Sequence, residues 1–171
     1  MIKKGKEIPI VSIVAKSGTG KTTLIEKLIP ALIKRGYRVG TIKHHGHGFE
    51  IDHEGKDSWR HKQAGAQVTV LASSHRVAVV EEVEKDHAIE ELRDIYIRGV
   101  DIVLTEGFKK NRLPKIEVFR ADLEADIISR GDETLVAVVG DKAQDINVPW
   151  FSSLDIDGVV DLIESRFLTG K

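Results

Sequence analysis

Residues 8–34 read IPIVSIVAKSGTGKTTLIEKLIPALIK, and three textures succeed one another within them. Residues 8–14 are almost wholly apolar and rich in β-branched side chains, as a strand buried on both faces of a parallel sheet should be. Leu24, Ile25, Leu28, Ile29, Leu32 and Ile33 recur at helical spacing, and Gly36 supplies a stop. Between them lies AKSGTGKTT, residues 15–23, a glycine-broken loop that closes on Lys21 and Thr22. Glycines let the backbone curl so that amide N–H groups point inward, a lysine here reaches outer phosphates, and a threonine hydroxyl can ligate Mg²⁺. The helix after the loop adds its positive N-terminal end. The usual form of this loop has glycine where Ala15 stands, and alanine is admissible there provided its φ stays negative. The coincidence of strand, loop, lysine, hydroxyl and helix predicts a phosphate cradle made by Ser17, Gly18, Thr19, Gly20, Lys21, Thr22 and Thr23.

Beyond this first βα unit, apolar runs at 37–42, 101–105, 115–119, 134–139 and 149–151 predict strands. A short helix is expected to end at Ala64, capped by Asp57 or Ser58. Helices are also expected over 87–97, with Ile89, Leu92, Ile95 and Tyr96 facing inward, and over 158–167. Residues 67–72 and 76–80 flank the turn Ser73, Ser74, His75 and predict a β-hairpin. Strands alternating with helices imply an α/β fold: a doubly wound, mainly parallel sheet of P-loop NTPase type with an antiparallel hairpin addition. No repeat or linker splits residues 1–171, which predicts a single nucleotide-binding domain.

The 26 basic and 27 acidic residues leave a formal charge of −1, so no global field selects nucleic acid or an anionic membrane as partner. Cysteine is absent, which excludes disulfides and thiolate chemistry. The opening MIKKGKEIPI has the lysines of a secretion signal without its apolar region, and no run approaches the roughly 20 apolar residues that span a bilayer. A soluble protein of the cytoplasm is expected.

Further chemical groups fall where parallel strands end. Glu106 closes an apolar strand, where phosphate-loop proteins place a carboxylate that meets Mg²⁺; the alternative is a strand-end carboxylate facing water. Asp52 is a candidate to hold a magnesium-bound water or to be a plain exposed carboxylate. Asp141 comes after another strand and offers two acceptor oxygens to the N1–H and exocyclic amine of guanine, although the motif NKxD is missing and GDK at 140–142 also reads as a turn. His44, His45, His47 and His53 lie in a polar, glycine-interrupted loop without distinctive ligand spacing, which favours a nucleotide-sensing or partner-binding loop over a metal site. Trp59 and Trp150 are candidates for base stacking or for ordinary packing.

AKSGTGKTTLIEKLIPAL, GTIKHHGHGFEID, GKDSWRHKQAGA, VLTEGFK and LVAVVGD together resemble the MobB family of molybdopterin-guanine dinucleotide biosynthesis adapter proteins, over about residues 8–167. The GKDS, AGA and TEGFK segments are the specific part. The resemblance implies a GTP-binding homodimer that assists a separate nucleotidyltransferase, the molybdenum cofactor guanylyltransferase, in attaching GMP to molybdopterin. It places the phosphates of GTP on residues 17–23, Mg²⁺ near Thr22 and Glu106, and the base near Asp141, and it implies weak GTP hydrolysis at most. No glutamine is evident to position water, and Arg112 or a second subunit is the available source of added charge. KSGTGKT also resembles the deviant phosphate loop whose extra lysine, here Lys16, reaches a partner's nucleotide; a solvated lysine is the simpler reading.

The preferred reading is a GTP- and Mg²⁺-binding adapter whose hairpin and LPKIEVFR segment (113–120) expose apolar strands that pair between subunits. The alternatives are a small-molecule kinase, for which Asp52 is the available base, and a metallochaperone GTPase, favoured by the histidines and disfavoured by the absence of cysteine.

Overall fold

The apolar runs become the strands of one sheet. The computed structural model describes residues 7–46, 48–123, 126–142 and 145–169. In chain order the elements are β1 (Ile10–Val14), α1 (Lys21–Lys34), β2 (Val39–Lys43), α2 (Asp57–Gln63), β3 (Val68–Ala72), β4 (Val77–Glu81), α3 (Ile89–Tyr96), β5 (Ile102–Glu106), β6 (Lys115–Phe119), β7 (Leu135–Gly140), β8 (Trp150–Ser152) and α4 (Ile156–Ile163). They divide into two compact units: Met1–His44 with Ile89–Lys171, and His45–Ala88. His47 and residues 1–6, which carry expectations from the sequence, lie outside the described residues.

The larger unit holds a six-stranded sheet in the order β2-β5-β1-β6-β7-β8, with every neighbouring pair parallel. One face carries α1 and α4. Val11, Ile13, Ile102, Leu104, Ile116 and Ala137 meet Leu28, Leu32, Val160 and Ile163 there, all fully buried. Removal of each Leu, Ile or Val side chain from water contributes roughly 1.5–3 kcal/mol. The opposite face of β1 and β5 is covered by Ile89 of α3 and by Phe108 and Leu113 of the β5–β6 connection. Helices and connections on both faces explain why the strands read as continuous apolar runs.

Residues 107–114 join two parallel strands without a crossover helix. The register shows why: Ser12 pairs with Thr105 of β5 and with Lys115 of β6, so β6 begins at the level where β5 ends. No return journey along the sheet is needed. At the other end of the chain, Asp155 caps α4 by accepting from Gly158 N–H at 3.0 Å. The chain then continues as a π-helical turn, Glu164–Leu168. Glu164 ties it back to the first βα unit, accepting from Tyr37 Oη at 2.6 Å and Arg35 Nη1 at 2.8 Å.

Three expectations are corrected. LPKIEVFR is no exposed pairing strand, because β6 is hydrogen-bonded on both edges, to β1 and β7. Its charges are buried and satisfied: Lys115 Nζ donates to Asp132 Oδ2 at 2.9 Å, Thr134 Oγ1 at 2.5 Å and Asn111 O, while Glu117 accepts Ile128 N–H at 2.7 Å and Ser129 N–H at 2.8 Å. In α3, Ile95 and Tyr96 face outward and Arg93 is buried instead. The inward stripe runs through Ile89, Arg93 and Ile97, and the guanidinium reaches Glu7 Oε1 at 2.6 Å and Asp94 Oδ1 at 2.8 Å, which allows its stem to be covered. Neither Asp57 nor Ser58 caps α2; Lys56 occupies that position without a side-chain bond, and the Ser58 hydroxyl donates to Asp52.

The smaller unit holds α2 and the antiparallel β3–β4 hairpin, with Val70 opposite Val79. The Ser73 hydroxyl accepts Arg76 N–H at 3.1 Å, which closes the turn. No helix among the described residues is long and apolar enough to cross a membrane.

Candidate nucleotide-binding site

The loop between β1 and α1 takes its shape from two left-handed residues, Gly18 at φ +76° and Gly20 at φ +99°. A Cβ added at either would meet nothing within 4 Å, so the backbone conformation demands glycine and the space inside the loop is open. Ala15 lies outside the positive-φ region, and its methyl is fully buried in the core. The loop needs no glycine there. Two bonds converge on Lys16 O: the buried Thr19 hydroxyl donates at 2.7 Å and Lys21 Nζ at 3.0 Å. Lys21 thus holds its ammonium within the loop's own span. No acidic side chain occupies the first turn of α1, so nothing on the helix offsets its positive end.

Glu106 ends β5 beside this loop, where Thr22 Oγ1 donates to its Oε2 at 3.0 Å. Lys43, at the end of β2, brings Nζ to 3.4 Å from the same oxygen. Parallel pairing produces the encounter, because Glu106 is in register with Ile13 of β1 and Lys43 of β2. The Lys21 ammonium has its pKa lowered, first by burial and then by repulsion from Lys109, with Lys43 adding to the repulsion and Glu106 opposing it. Cationic charge is therefore concentrated at this end of the sheet. A hydroxyl and a carboxylate oxygen 3.0 Å apart, beside lysines, form a donor set that fits Mg²⁺ and a polyphosphate.

The turn after Glu106 is strained. Gly107 sits at φ +102°, and Phe108 at φ +55° is the only described non-glycine residue with positive φ, a conformation costing roughly 1–2 kcal/mol. The ring of Phe108 lies 4.7 Å from that of His44.

On the other side of the loop a groove of about 280 Å³ is bounded by Thr19, Gly20, Thr23, Phe119, Arg120 and Asp141. Lys27 and Ser153 complete its wall. Asp141 Oδ1 accepts Ala121 N–H at 2.9 Å, which orients the carboxylate and leaves lone pairs on both oxygens for further donors.

The structure thus brings together loop residues 17–23, Glu106 and Asp141 at the carboxyl ends of β1, β5 and β7. Asp52 belongs to the smaller unit; its Oδ1 accepts from Ser58 Oγ at 2.8 Å, and its Oδ2 is buried with no hydrogen-bond partner among the described residues. His44 closes β2 in the larger unit, whereas His45 packs near Phe49 in the smaller one. Trp59 is half-buried in α2, and Trp150 lies partly exposed on β8. Lys27, Arg120 and Ser153 were not singled out by sequence. Arg120 and Ser153 stand directly after strand ends, the one signal that marks them.

Residues 10–141 match the family described as molybdopterin guanine dinucleotide synthesis protein B, MobB. The molybdopterin-guanine dinucleotide biosynthesis adapter protein of Haemophilus influenzae is 39% identical over 166 residues, 96% of this chain and 93% of that protein. Its Escherichia coli counterpart is 37% identical over 164 residues, 91% of each. Among solved structures, a crystal structure of molybdopterin-guanine biosynthesis protein B superimposes with TM-score 0.74 at 30% identity, covering 93% of this chain and 99% of that one. That of Bacillus subtilis MobB gives 0.70 at 31% identity, over 91% and 98%. A matching family description, relatives aligned over nearly their whole length and a shared sheet agree: this chain belongs to the MobB family of molybdopterin guanine dinucleotide synthesis proteins.

Proposed function

We propose that this chain is a GTP-binding adapter in molybdopterin guanine dinucleotide synthesis, acting as one nucleotide-binding domain that assists the guanylyltransferase attaching GMP to molybdopterin. The relatives in Haemophilus influenzae and Escherichia coli are named as biosynthesis adapters, and the similarity spans nearly all of this chain. The observation that carries the nucleotide reading is the meeting of Thr22 and Glu106 beside Lys21, in a loop whose two glycines hold its interior open.

In this reading the backbone of residues 17–23 and the Lys21 ammonium hold the phosphates, and the positive end of α1 adds to the attraction. Thr22 and Glu106 would hold Mg²⁺, which would supply positive charge to offset that of the phosphates. Asp141 selects guanine by accepting from its N1–H and amine, from a carboxylate already oriented by Ala121. Glu106 is engaged by Thr22 and Lys43, and so acts as a ligand and not as a proton acceptor. Hydrolysis is accordingly weak, and binding carries the function. The protein works in the cytoplasm as a homodimer joined through its hairpins.

Titration with labelled GTP and ATP, with and without Mg²⁺, tests this directly. GTP is expected to bind more tightly, and Glu106→Gln to reduce the gain in affinity from Mg²⁺ about tenfold, a difference near 1.4 kcal/mol. Tight ATP binding with phosphorylation of a small-molecule acceptor would replace the adapter by a kinase. An unchanged Mg²⁺ effect in Glu106→Gln would return that residue to the role of a surface carboxylate.

A further inference from the structure

The groove beside the phosphate loop combines an apolar lining with charges of both signs. Buried Leu24, Val118 and Val139 form its inner side, a surface suited to the flat face of a heterocycle. Asp141 follows β7 and Ser153 follows β8, and these strands pair in register, Gly140 with Ser152. Ser153 N–H donates to Gly140 O at 3.2 Å, which carries the ladder one step further. Asp141 and Ser153 therefore stand on neighbouring strand ends, and neighbouring strands lie about 4.8 Å apart.

Lys27 reaches the same wall from α1. The one contact of its ammonium among the described residues is Ser153 O, at 3.5 Å. An ammonium has three donors, so this single long bond leaves most of its capacity for a ligand. Arg120, the other cation of the groove, spends one edge of its guanidinium on Asp122, with Nε donating to Oδ1 at 3.1 Å and Nη2 to Oδ2. Among the described residues Lys27 is thus the groove's cation without a carboxylate partner.

A guanine held by Asp141 through its N1–H and amine has a third group on the same edge, the 6-oxo acceptor, whereas adenine carries an amine there. An acceptor enclosed without a donor costs more than the bond it forgoes. Resting on the nucleotide reading above, we propose that Lys27 is a specificity-determining residue for the base, its ammonium donating to the 6-oxo group of guanine while Asp141 accepts from the two donors. Ammonium and carboxylate then read one edge with opposite charges. Adenine would turn its amine toward the ammonium and its N1 lone pair toward the carboxylate, two repulsive contacts that exclude it.

Calorimetric titration of the full chain and of Lys27→Met, with Mg²⁺ present, uses three ligands. These are GTP; ITP, which keeps the 6-oxo group and lacks the amine; and 6-thio-GTP, which keeps both donors and replaces the oxygen by a weakly accepting sulfur. The unaltered chain is expected to bind 6-thio-GTP about tenfold more weakly than GTP. Lys27→Met is expected to lose about tenfold on GTP and on ITP and less than about threefold on 6-thio-GTP. Lys27 is exposed and methionine is a good helix former, so α1 is left intact. Equal loss on all three ligands would show the ammonium acting on phosphates, and no loss on any would show it idle; either overturns the proposal while the nucleotide site stands. GTP and 6-thio-GTP bound equally by the unaltered chain overturn it without recourse to a variant. If the unaltered chain binds none of the three, the nucleotide reading itself falls, and the base contact with it.

Discussion

Asp132 shows what a single carboxylate does for this fold. Its pKa is drawn from 3.8 to about 2, first by the Thr134 hydroxyl and then by Lys115, whose ammonium is buried beneath it. A carboxyl depressed in the native state contributes stability that is fully present above its ordinary value and lost as pH falls through the native one. Asp132→Asn removes that contribution and leaves Lys115 short of a charged acceptor. Because Asp132 is partly exposed, the expected loss at neutral pH is about 1–2 kcal/mol, and the two proteins converge in stability between about pH 4 and pH 2. Chemical denaturation of both at neutral and acid pH measures this; a constant difference across that range would show that the pair is not what titrates. Residues of this kind were not legible in the sequence. Lys115 and Glu117 gave their strand a polar alternation that resembles an edge, because burial with partners from 128–134 depends on contacts that no spacing records. Thr22 and Lys21 were legible, since the glycines that precede them have a conformational reason that survives into the structure. The positive φ of Phe108 had no signal at all, beyond its place after a glycine at a strand end.

Among the elements, the β3–β4 hairpin presents Val68, Val70, Val77 and Val79 on one face, each about half-exposed or more. Two strands with an open apolar face are marginal by themselves, and such a face calls for cover. If the cover is a second copy, Val70→Lys with Val79→Lys converts the dimer to monomer while leaving the circular dichroism of the folded chain unchanged. Sedimentation velocity distinguishes the outcomes, and an unaltered chain that is monomeric at micromolar concentration would contradict this use of the hairpin. The hairpin was readable because period-2 alternation and a Ser-Ser-His turn agree over 67–80. The inward face of α3 was not: Ile95 and Tyr96 are as apolar as Leu92, and only the pairing of Arg93 with Glu7 and Asp94 reveals which stripe is buried.

Taken whole, the molecule was legible in its topology. Apolar strands alternating with helices fold as one parallel sheet, and strand ends that are far apart in sequence gather Lys21, Glu106 and Asp141 at its carboxyl end. That gathering explains why the loop of β1 has a carboxylate from β5 on one side and a groove from β6–β8 on the other. Topology alone cannot supply local detail, such as the positive φ at Phe108 in the turn after β5. If the chain exists to hold a guanine nucleotide, everything depends on the loop. Equilibrium titration of labelled GTP with Mg²⁺ against the unaltered chain and Lys21→Ala tests this. Affinity is expected to fall at least about a hundredfold in the variant, about 2.7 kcal/mol, with no change in thermal midpoint, since an ammonium is removed and no core volume. Undiminished GTP binding by Lys21→Ala, or no binding by the unaltered chain, would contradict it.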